Sequence, residues 1–377
     1  MKKAALADLA LCLILGLALP FGAQAQAPAP RHNVIIFIAD GMRYGSITAA
    51  NAPNLWRLKT EGVDFVNSHS LFPTVTTVNA SAIATGHYIG DTGDFGNSIW
   101  TGLAMESANG NSVVGLENNQ VLADMNHRFE GNYLNEMTLL ARARAAGWST
   151  AAIGKLGPMR ILDSTAAPDG SETLLIDDST GRENGFALPS WYAAGIEKAF
   201  VTPVMPATTN PNIEQQNNLA KAVSRIVLPH FKAAGKPFLL MFWSRDPDAT
   251  QHNARDSLGE YDPGINGPSG LAAVRNADTT LGEIRAALRA QGLDKTTDIF
   301  ITADHGFVTN ARQSATSPSA RNGELVTGFL ANDLAAGLKL KATGNVLGDD
   351  PTRPEAIIAP NGGASLIYLP GPQGATC

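Results

Sequence analysis

The sequence predicts an α/β protein, a three-layer α/β/α sandwich around a mainly parallel central sheet. Three observations carry that expectation. Five short apolar runs end in polar, acidic or glycine residues, as buried strands of a parallel sheet do. Helix-like segments lie between them, so strand and helix alternate. The chain has 377 residues, enough for one large domain or two ordinary ones.

The elements follow in order. Lys2 and Lys3 precede an apolar stretch, Leu9 to Leu19, that is short for a bilayer span. Ala23-Gln24-Ala25 is a small-x-small site, although Asp8 is unusual so close to the apolar run. This predicts a signal peptide over residues 1–25, cut after Ala25. The mature chain, 26–377, would then be periplasmic or secreted, with no membrane anchor after cleavage. NVIIFIAD (Asn33–Asp40) reads as the first strand. FPTVTTVNASAIATGH (Phe72–His87) crowds Thr74, Thr76 and Thr77 ahead of a small-residue helix over Val78–Thr85. Residues 88–133, rich in Gly and Asn, read as an insertion or cap near the site. WSTAAIG (Trp148–Gly154), PFLLMFWSRD (Pro237–Asp246), TDIFITAD (Thr297–Asp304) and ASLIYLPG (Ala364–Gly371) are the other strand candidates. A helix is expected from about Asn212 to Ala234. Another, roughly Leu271 to Ala290, spaces Val274, Ala277, Leu281, Ile284 and Leu288 into one apolar stripe. The chain contains no internal repeats.

Composition narrows the function. The formal net charge is -6 and no basic tail or stripe is visible, which argues against a stable nucleic-acid partner. An acidic protein that handles phosphate must place positive charge locally, and metal ions are one way to do so. Cys12 would leave with the signal and Cys377 is the last residue, so no intrachain disulfide or cysteine metal site is expected in the mature chain.

In open α/β sheets ligands gather beyond the carboxyl ends of the strands. Asp40 ends the first strand and Gly41 follows it; Asp304 and His305 end another, followed by Gly306. RDPDATQHN, after the strand Phe238–Ser244, offers Asp246, Asp248 and His252. Mixed Asp/His sets of this kind suit Zn²⁺ or a similar divalent ion. A lone Asp after a strand is more often a turn or cap residue, but three such ends, two with histidine, favour a metal site. His32, His69, His87, His127 and His230 lie elsewhere and read as surface or packing residues. The threonines have two readings. Thr76 or Thr77 at the helix N-cap could accept a backbone N–H bond. A hydroxyl there could also attack phosphorus, beside free N–H groups that favour an anionic phosphoryl group.

Taken together, NVIIFIADGMR, FPTVTTVNASAIATGHYIGDTG, Gly96-Asn97-Ser98, PDATQH and TADHG resemble the alkaline phosphatase superfamily. The nearest pattern is that of its type I phosphodiesterase/nucleotide pyrophosphatase branch. Each motif is weak alone; the order and spacing, from Asn33 to His305, are specific. The resemblance implies an alkaline-phosphatase-like fold and a hydrolase of phosphodiester or nucleotide pyrophosphate bonds. It implies two divalent ions, most simply zinc, and a small phosphorylated substrate. By position, Thr76 would be the nucleophile, passing through a phospho-threonine, with Thr74 and Thr77 supporting the loop and helix start. Asp40, Asp304 and His305, with Thr76, would hold one ion; Asp248 and His252 would hold the other. Asn97 would bind a phosphoryl oxygen. Asp246 matches no ligand position and is expected to shape its loop.

The sequence also departs from the family. The second ion normally has a third ligand, a histidine further downstream, and no histidine follows His305. A C-terminally truncated chain is therefore expected, with a weakened second site; the extreme case is a non-catalytic metal-binding pseudoenzyme. Lys155, at the end of a strand, offers a cation for the extra charge of a monoester, which makes a phosphomonoesterase the alternative activity. Phe95 and Trp100 could stack on a nucleobase or pack the cap. A sulfatase is disfavoured, because the stretch offers Thr and no C-x-P-x-R pattern.

Overall fold

The computed structural model describes residues 32–254, 256, 264–309, 329–369 and 371. The expected signal peptide and its cleavage site lie outside the described residues. Five strands, β1 (Asn33–Ala39), β4 (Ser149–Gly154), β5 (Thr173–Ile176), β6 (Phe238–Ser244) and β7 (Thr297–Thr302), form one sheet in the order β5-β4-β6-β1-β7. Every pairing in it is parallel. Four of the five expected strands are here; the apolar runs of β4 and β6 are continuous because both faces are covered, whereas the edge strand β7 leaves Phe300 exposed.

Side-chain alternation assigns the faces. Ile35, Phe37, Leu240 and Phe242 point to one layer, with Leu219, Val274, Leu281 and Ile284 from the helices Ile213–Ala222 and Pro268–Ala290. Ile38, Leu239, Met241 and Trp243 point to the other, against Ala80, Ala84, Leu122 and Ile161. All five residues of the apolar stripe on Pro268–Ala290 are buried, as its spacing predicts. The other long helical segment runs on from Ala222 through a π-helical stretch, Val223–Val227, to Leu228–Ala234. Pro229 enters at that junction, and its missing N–H suits the widened ladder.

Two expectations are corrected. Ala364–Tyr368 is a strand, but it joins an antiparallel sheet of four strands, β8 (Ala342–Thr343), β9 (Val346–Leu347), β10 (Ala356–Asn361) and β11 (Ala364–Tyr368). A short apolar run does not say which sheet it joins. The threonines also shift by one position. The helix is Thr76–Thr85, its N-cap is the extended Val75, and Thr76 is its first residue, so neither Thr76 nor Thr77 caps it. Residues 88–133 stay out of the central sheet: β2 (Ser98–Met105) and β3 (Asn111–Gly115) form a separate hairpin. Asn361 ties the four-stranded sheet to this hairpin, accepting from Ser98 N at 2.8 Å and donating to Ser98 O at 3.0 Å. Trp100 packs edge-on against Tyr368 there, with ring centroids 5.5 Å apart. No helix among the described residues is long and apolar enough to cross a membrane.

Candidate active site

The carboxyl ends of β1, β4, β6 and β7 adjoin, and each delivers a charged residue to one place. Asp40 is fully buried after β1. Gly41 next to it takes φ +66, and a Cβ there would come within 3.0 Å of Asp248 Cβ. Glycine thus lets the two strand ends close on each other. The Asp248 N–H donates to Asp40 O at 3.0 Å and the Gly41 N–H to Asp304 Oδ1 at 3.1 Å.

His305 Nε2 is the meeting point. It lies 3.6 Å from Asp40 Oδ1, 3.4 Å from Asp304 Oδ2, 4.0 Å from Asp248 Oδ1 and 3.4 Å from Thr76 Oγ1. The ring's Nδ1 bonds the Gly306 carbonyl at 2.7 Å. A carbonyl only accepts, so Nδ1 carries the proton. Nε2 therefore presents to the carboxylates either a lone pair, which needs a cation between, or a second proton. The three carboxylate oxygens named here have no hydrogen-bond partner although all are buried. Buried carboxylate oxygens left without a hydrogen bond are costly, and a divalent ion is one remedy. Ligand atoms of Asp40, Asp304 and His305 lie within 4.8 Å of one another, so this donor set fits a small oxygen- and nitrogen-binding ion.

The second expected pair is also close: His252 Nε2 lies 3.4 Å from Asp248 Oδ1. Asp248 is buried while the His252 side chain is largely open to solvent. Asp246 lies outside the cluster. It accepts from Asn212 N, Asn276 Nδ2 and Thr250 Oγ1, which fixes the turn into the helix Asp248–Asn253.

Thr76 and Asn97 are joined through the helix start. Asn97 Oδ1 accepts the Thr77 N–H at 2.9 Å, and the Thr77 hydroxyl donates to Gly96 O at 2.9 Å. With Oδ1 engaged, the donor Nδ2 is the half of the Asn97 amide left for a ligand.

Lys155, past the end of β4, is buried here too. Its Nζ donates to Asp40 Oδ2 at 2.8 Å and to Thr76 Oγ1 at 3.3 Å. It is also ion-paired with Glu117 Oε1 at 2.7 Å and lies 3.6 Å from Asp248 Oδ2. Burial pushes the ammonium down, but Asp40, Glu117, Asp248 and Asp304 outweigh it and hold Lys155 well above the ordinary lysine value. Burial raises the Asp40 carboxyl well above its usual range, and the charges of Asp248 and Asp304 add to it. Burial also raises Asp304. At Asp248 burial is overcome by Lys155 and the two histidines, which hold it below the usual range.

Three contributors carry no signature in the sequence. Glu117 sits just beyond β3 in the inserted segment. The Trp243 indole donates to Asp40 Oδ2 at 2.8 Å from inside β6. Asp178 accepts the Leu156 N–H at 3.0 Å and pairs with Arg245, bracing the turn that carries Lys155. The histidines read as peripheral stay out of the cluster: His32 bonds Asp298 and His230 stacks on Trp191.

A parallel sheet with acid and imidazole groups gathered at its strand ends defines the class of the protein, an α/β protein with a polar site at the carboxyl ends of its strands. The chain belongs to the type I phosphodiesterase / nucleotide pyrophosphatase family, whose model matches residues 34–351. Venom phosphodiesterase 2 of Crotalus adamanteus is 23% identical over 286 residues, 75% of this chain and 28% of the relative. Venom phosphodiesterase 1 of the same snake is likewise 23% identical, with 26% of its length covered. The chain thus spans about a quarter of the length of these curated relatives. Among solved structures, phosphonoacetate hydrolase from Sinorhizobium meliloti 1021 aligns with TM-score 0.49 and 20% identity, over 74% of this chain and 57% of that one. An inactive threonine-to-alanine variant of murine ectonucleotide pyrophosphatase / phosphodiesterase 5, in complex with AMP, aligns at 0.44 and 16%, with the same coverage.

Proposed function

We propose that the protein hydrolyses phosphoric esters, phosphodiester or nucleotide pyrophosphate bonds first, with Thr76 as nucleophile. The observation that carries this is the convergence on Thr76 Oγ1 of His305 Nε2 and Lys155 Nζ at the start of a buried helix. Asp40, Asp304 and His305, with the Thr76 oxygen, would hold one divalent ion, zinc for preference; Asp248 and His252 would hold a second. Such ions, when bound, supply Lewis acidity that lowers the pKa of a coordinated hydroxyl and offsets charge on phosphoryl oxygens.

The chain's own groups do the rest. The helix start offers its positive dipole end, and the N–H groups that Asn97 does not take up, to an anionic phosphoryl group. Thr76 Oγ1 attacks phosphorus in line with the leaving oxygen. The ester P–O bond breaks, the alcohol or phosphate leaves with the proton given up by the Thr76 hydroxyl, and a phospho-Thr76 remains that in a diester still carries the second ester group. Water then attacks phosphorus, the bond from phosphorus to Thr76 Oγ1 breaks, a water proton restores the hydroxyl and the phosphate product leaves. Asn97 Nδ2 donates to a phosphoryl oxygen as charge builds on it.

Thr76→Ala is the deciding variant. Turnover of bis(4-nitrophenyl) phosphate should vanish while the melting temperature and bound metal hardly change. A variant that still turns over at the wild-type rate would remove Thr76 from the reaction.

One observation favours the phosphomonoesterase reading: a buried ammonium beside the nucleophile suits the extra charge of a monoester. On that reading Lys155→Ala harms 4-nitrophenyl phosphate hydrolysis far more than diester hydrolysis. Equal losses on the two substrates would rule it out.

A further inference from the structure

The inserted hairpin delivers a second residue besides Asn97. Leu116 N–H donates to Asn97 O at 2.8 Å, so the chain just past β3 runs beside Asn97. The next residue is Glu117. Its backbone is pressed against the turn that carries Lys155: Gly157 has φ +88, and a Cβ there would come within 2.7 Å of Glu117 Cα. The Glu117 side chain is partly exposed, but its Oε1 is buried and faces the Lys155 ammonium at 2.7 Å.

The ammonium is pulled several ways. It bonds Asp40 Oδ2 and Thr76 Oγ1, while Asp248 Oδ2 stands 3.6 Å off on its own strand end. Without the Glu117 charge the ammonium loses its 2.7 Å carboxylate contact and keeps only Asp40 at 2.8 Å and Asp248 at 3.6 Å, so its place beside the hydroxyl is less closely fixed. We propose that Glu117 is a positioning residue: its carboxylate, borne on the inserted segment, holds the Lys155 ammonium against Thr76 Oγ1. This rests on the reading of Thr76 as nucleophile. It adds that the insertion, not only the sheet, sets the charge around that nucleophile.

The test separates charge from packing. Glu117→Gln keeps shape and removes charge; Glu117→Asp keeps charge. With bis(4-nitrophenyl) phosphate, Glu117→Gln should lower kcat about 10- to 100-fold, the scale of losing an aligned contact at a reacting centre. KM should move less than about three-fold, because the contact acts on the nucleophile rather than on bound substrate. Glu117→Asp should keep more of the rate than Glu117→Gln. In a Lys155→Met background, Glu117→Gln should cost nothing further. A Gln variant with wild-type kcat, or the same loss with and without Lys155, overturns the proposal and leaves the hydrolase reading standing. A wild-type chain without turnover overturns both. Urea denaturation of chelator-treated chain gives a readout that needs no catalysis: the effects of Glu117→Gln and Lys155→Met should be non-additive, as for contacting charges. Additive effects overturn the pairing.

Discussion

The Asn97 side chain has its acceptor occupied by the Thr77 N–H at 2.9 Å, so its chemistry toward a ligand is that of a donor. Asn97→Ala removes the donor and should lower kcat about 10²- to 10³-fold, the usual cost of one such donor. Asn97→Asp keeps the acceptor for Thr77 but sets a negative charge beside the phosphoryl group, so it should be slower than the Ala variant. Steady-state rates of the two variants check this; an Asp variant faster than the Ala variant would mean that Asn97 serves the loop and not the substrate. Residues of this site differ in how far the sequence discloses them. Asp40, Asp304, His305 and Asp248 are legible because an acid at the end of an apolar run, with a glycine or histidine close by, is a local pattern. Lys155 is half legible: its strand end shows, its burial does not. Glu117 and Trp243 are not legible. A glutamate in a glycine-rich stretch and a tryptophan in a strand look like surface and core until packing turns Oε1 and the indole N–H toward Lys155 and Asp40.

Between the helix Thr76–Thr85 and β2 the chain carries a buried acid to which the proposed chemistry gives no part. Asp94 is fully buried and accepts the Tyr133 hydroxyl at 2.9 Å. Burial pushes its carboxyl up to about 7, against an ordinary 3.8, with the hydroxyl contacts pulling the other way. A raised folded-state value means that the folded chain keeps a proton the unfolded chain has lost. That stabilisation is complete below the unfolded value and is lost as pH rises through about 7. At about 1.36 kcal/mol per unit the group accounts for a few kcal/mol at most between pH 4 and pH 8. Wild type should therefore lose stability between pH 5 and pH 8, and Asp94→Asn, which stays neutral, should lose less. Urea midpoints at the two pH values check this, and parallel losses in the two proteins would sink the idea. The same helix shows what element-scale reading misses. A hydroxyl cluster before a helix points to a cap, yet extended Val75 takes that place and frees Thr76 to face the site. The run at Ala364–Tyr368 was legible as a strand but not as part of an antiparallel sheet, because partner choice is not written in a five-residue pattern.

At the scale of the molecule, the order β5-β4-β6-β1-β7 is what makes the site. It sets Asp40, Asp248 and Asp304 on the neighbouring ends of β1, β6 and β7, although β1 and β7 lie far apart in the chain. The alternation of elements announces the sandwich; strand order is a global property, and local sequence does not carry it. The outcome is a fold with three acids crowded at its centre, so on the proposed metal-site reading the stability of the ion-free fold and its affinity for an ion would oppose each other there. Asp304→Asn tests this opposition with a change of sign. An asparagine Oδ1 can still accept the Gly41 and His305 N–H groups that Asp304 Oδ1 now accepts, so the local structure is kept. One negative charge beside Asp40 and Asp248 is gone. In chelator-treated protein the variant should melt at or above the wild-type temperature, because repulsion has been relieved. With zinc added, wild type should gain stability as the logarithm of concentration, about 2.7 kcal/mol at one hundred times the dissociation constant. The variant should gain much less, so the two melting curves exchange order. Elemental analysis of dialysed wild type then counts the ions: near two per chain means that Asp248 and His252 hold theirs, and near one means that the Asp40–Asp304–His305 set alone is tight. A variant equally destabilised with and without zinc would make Asp304 a structural residue and remove the metal from this account.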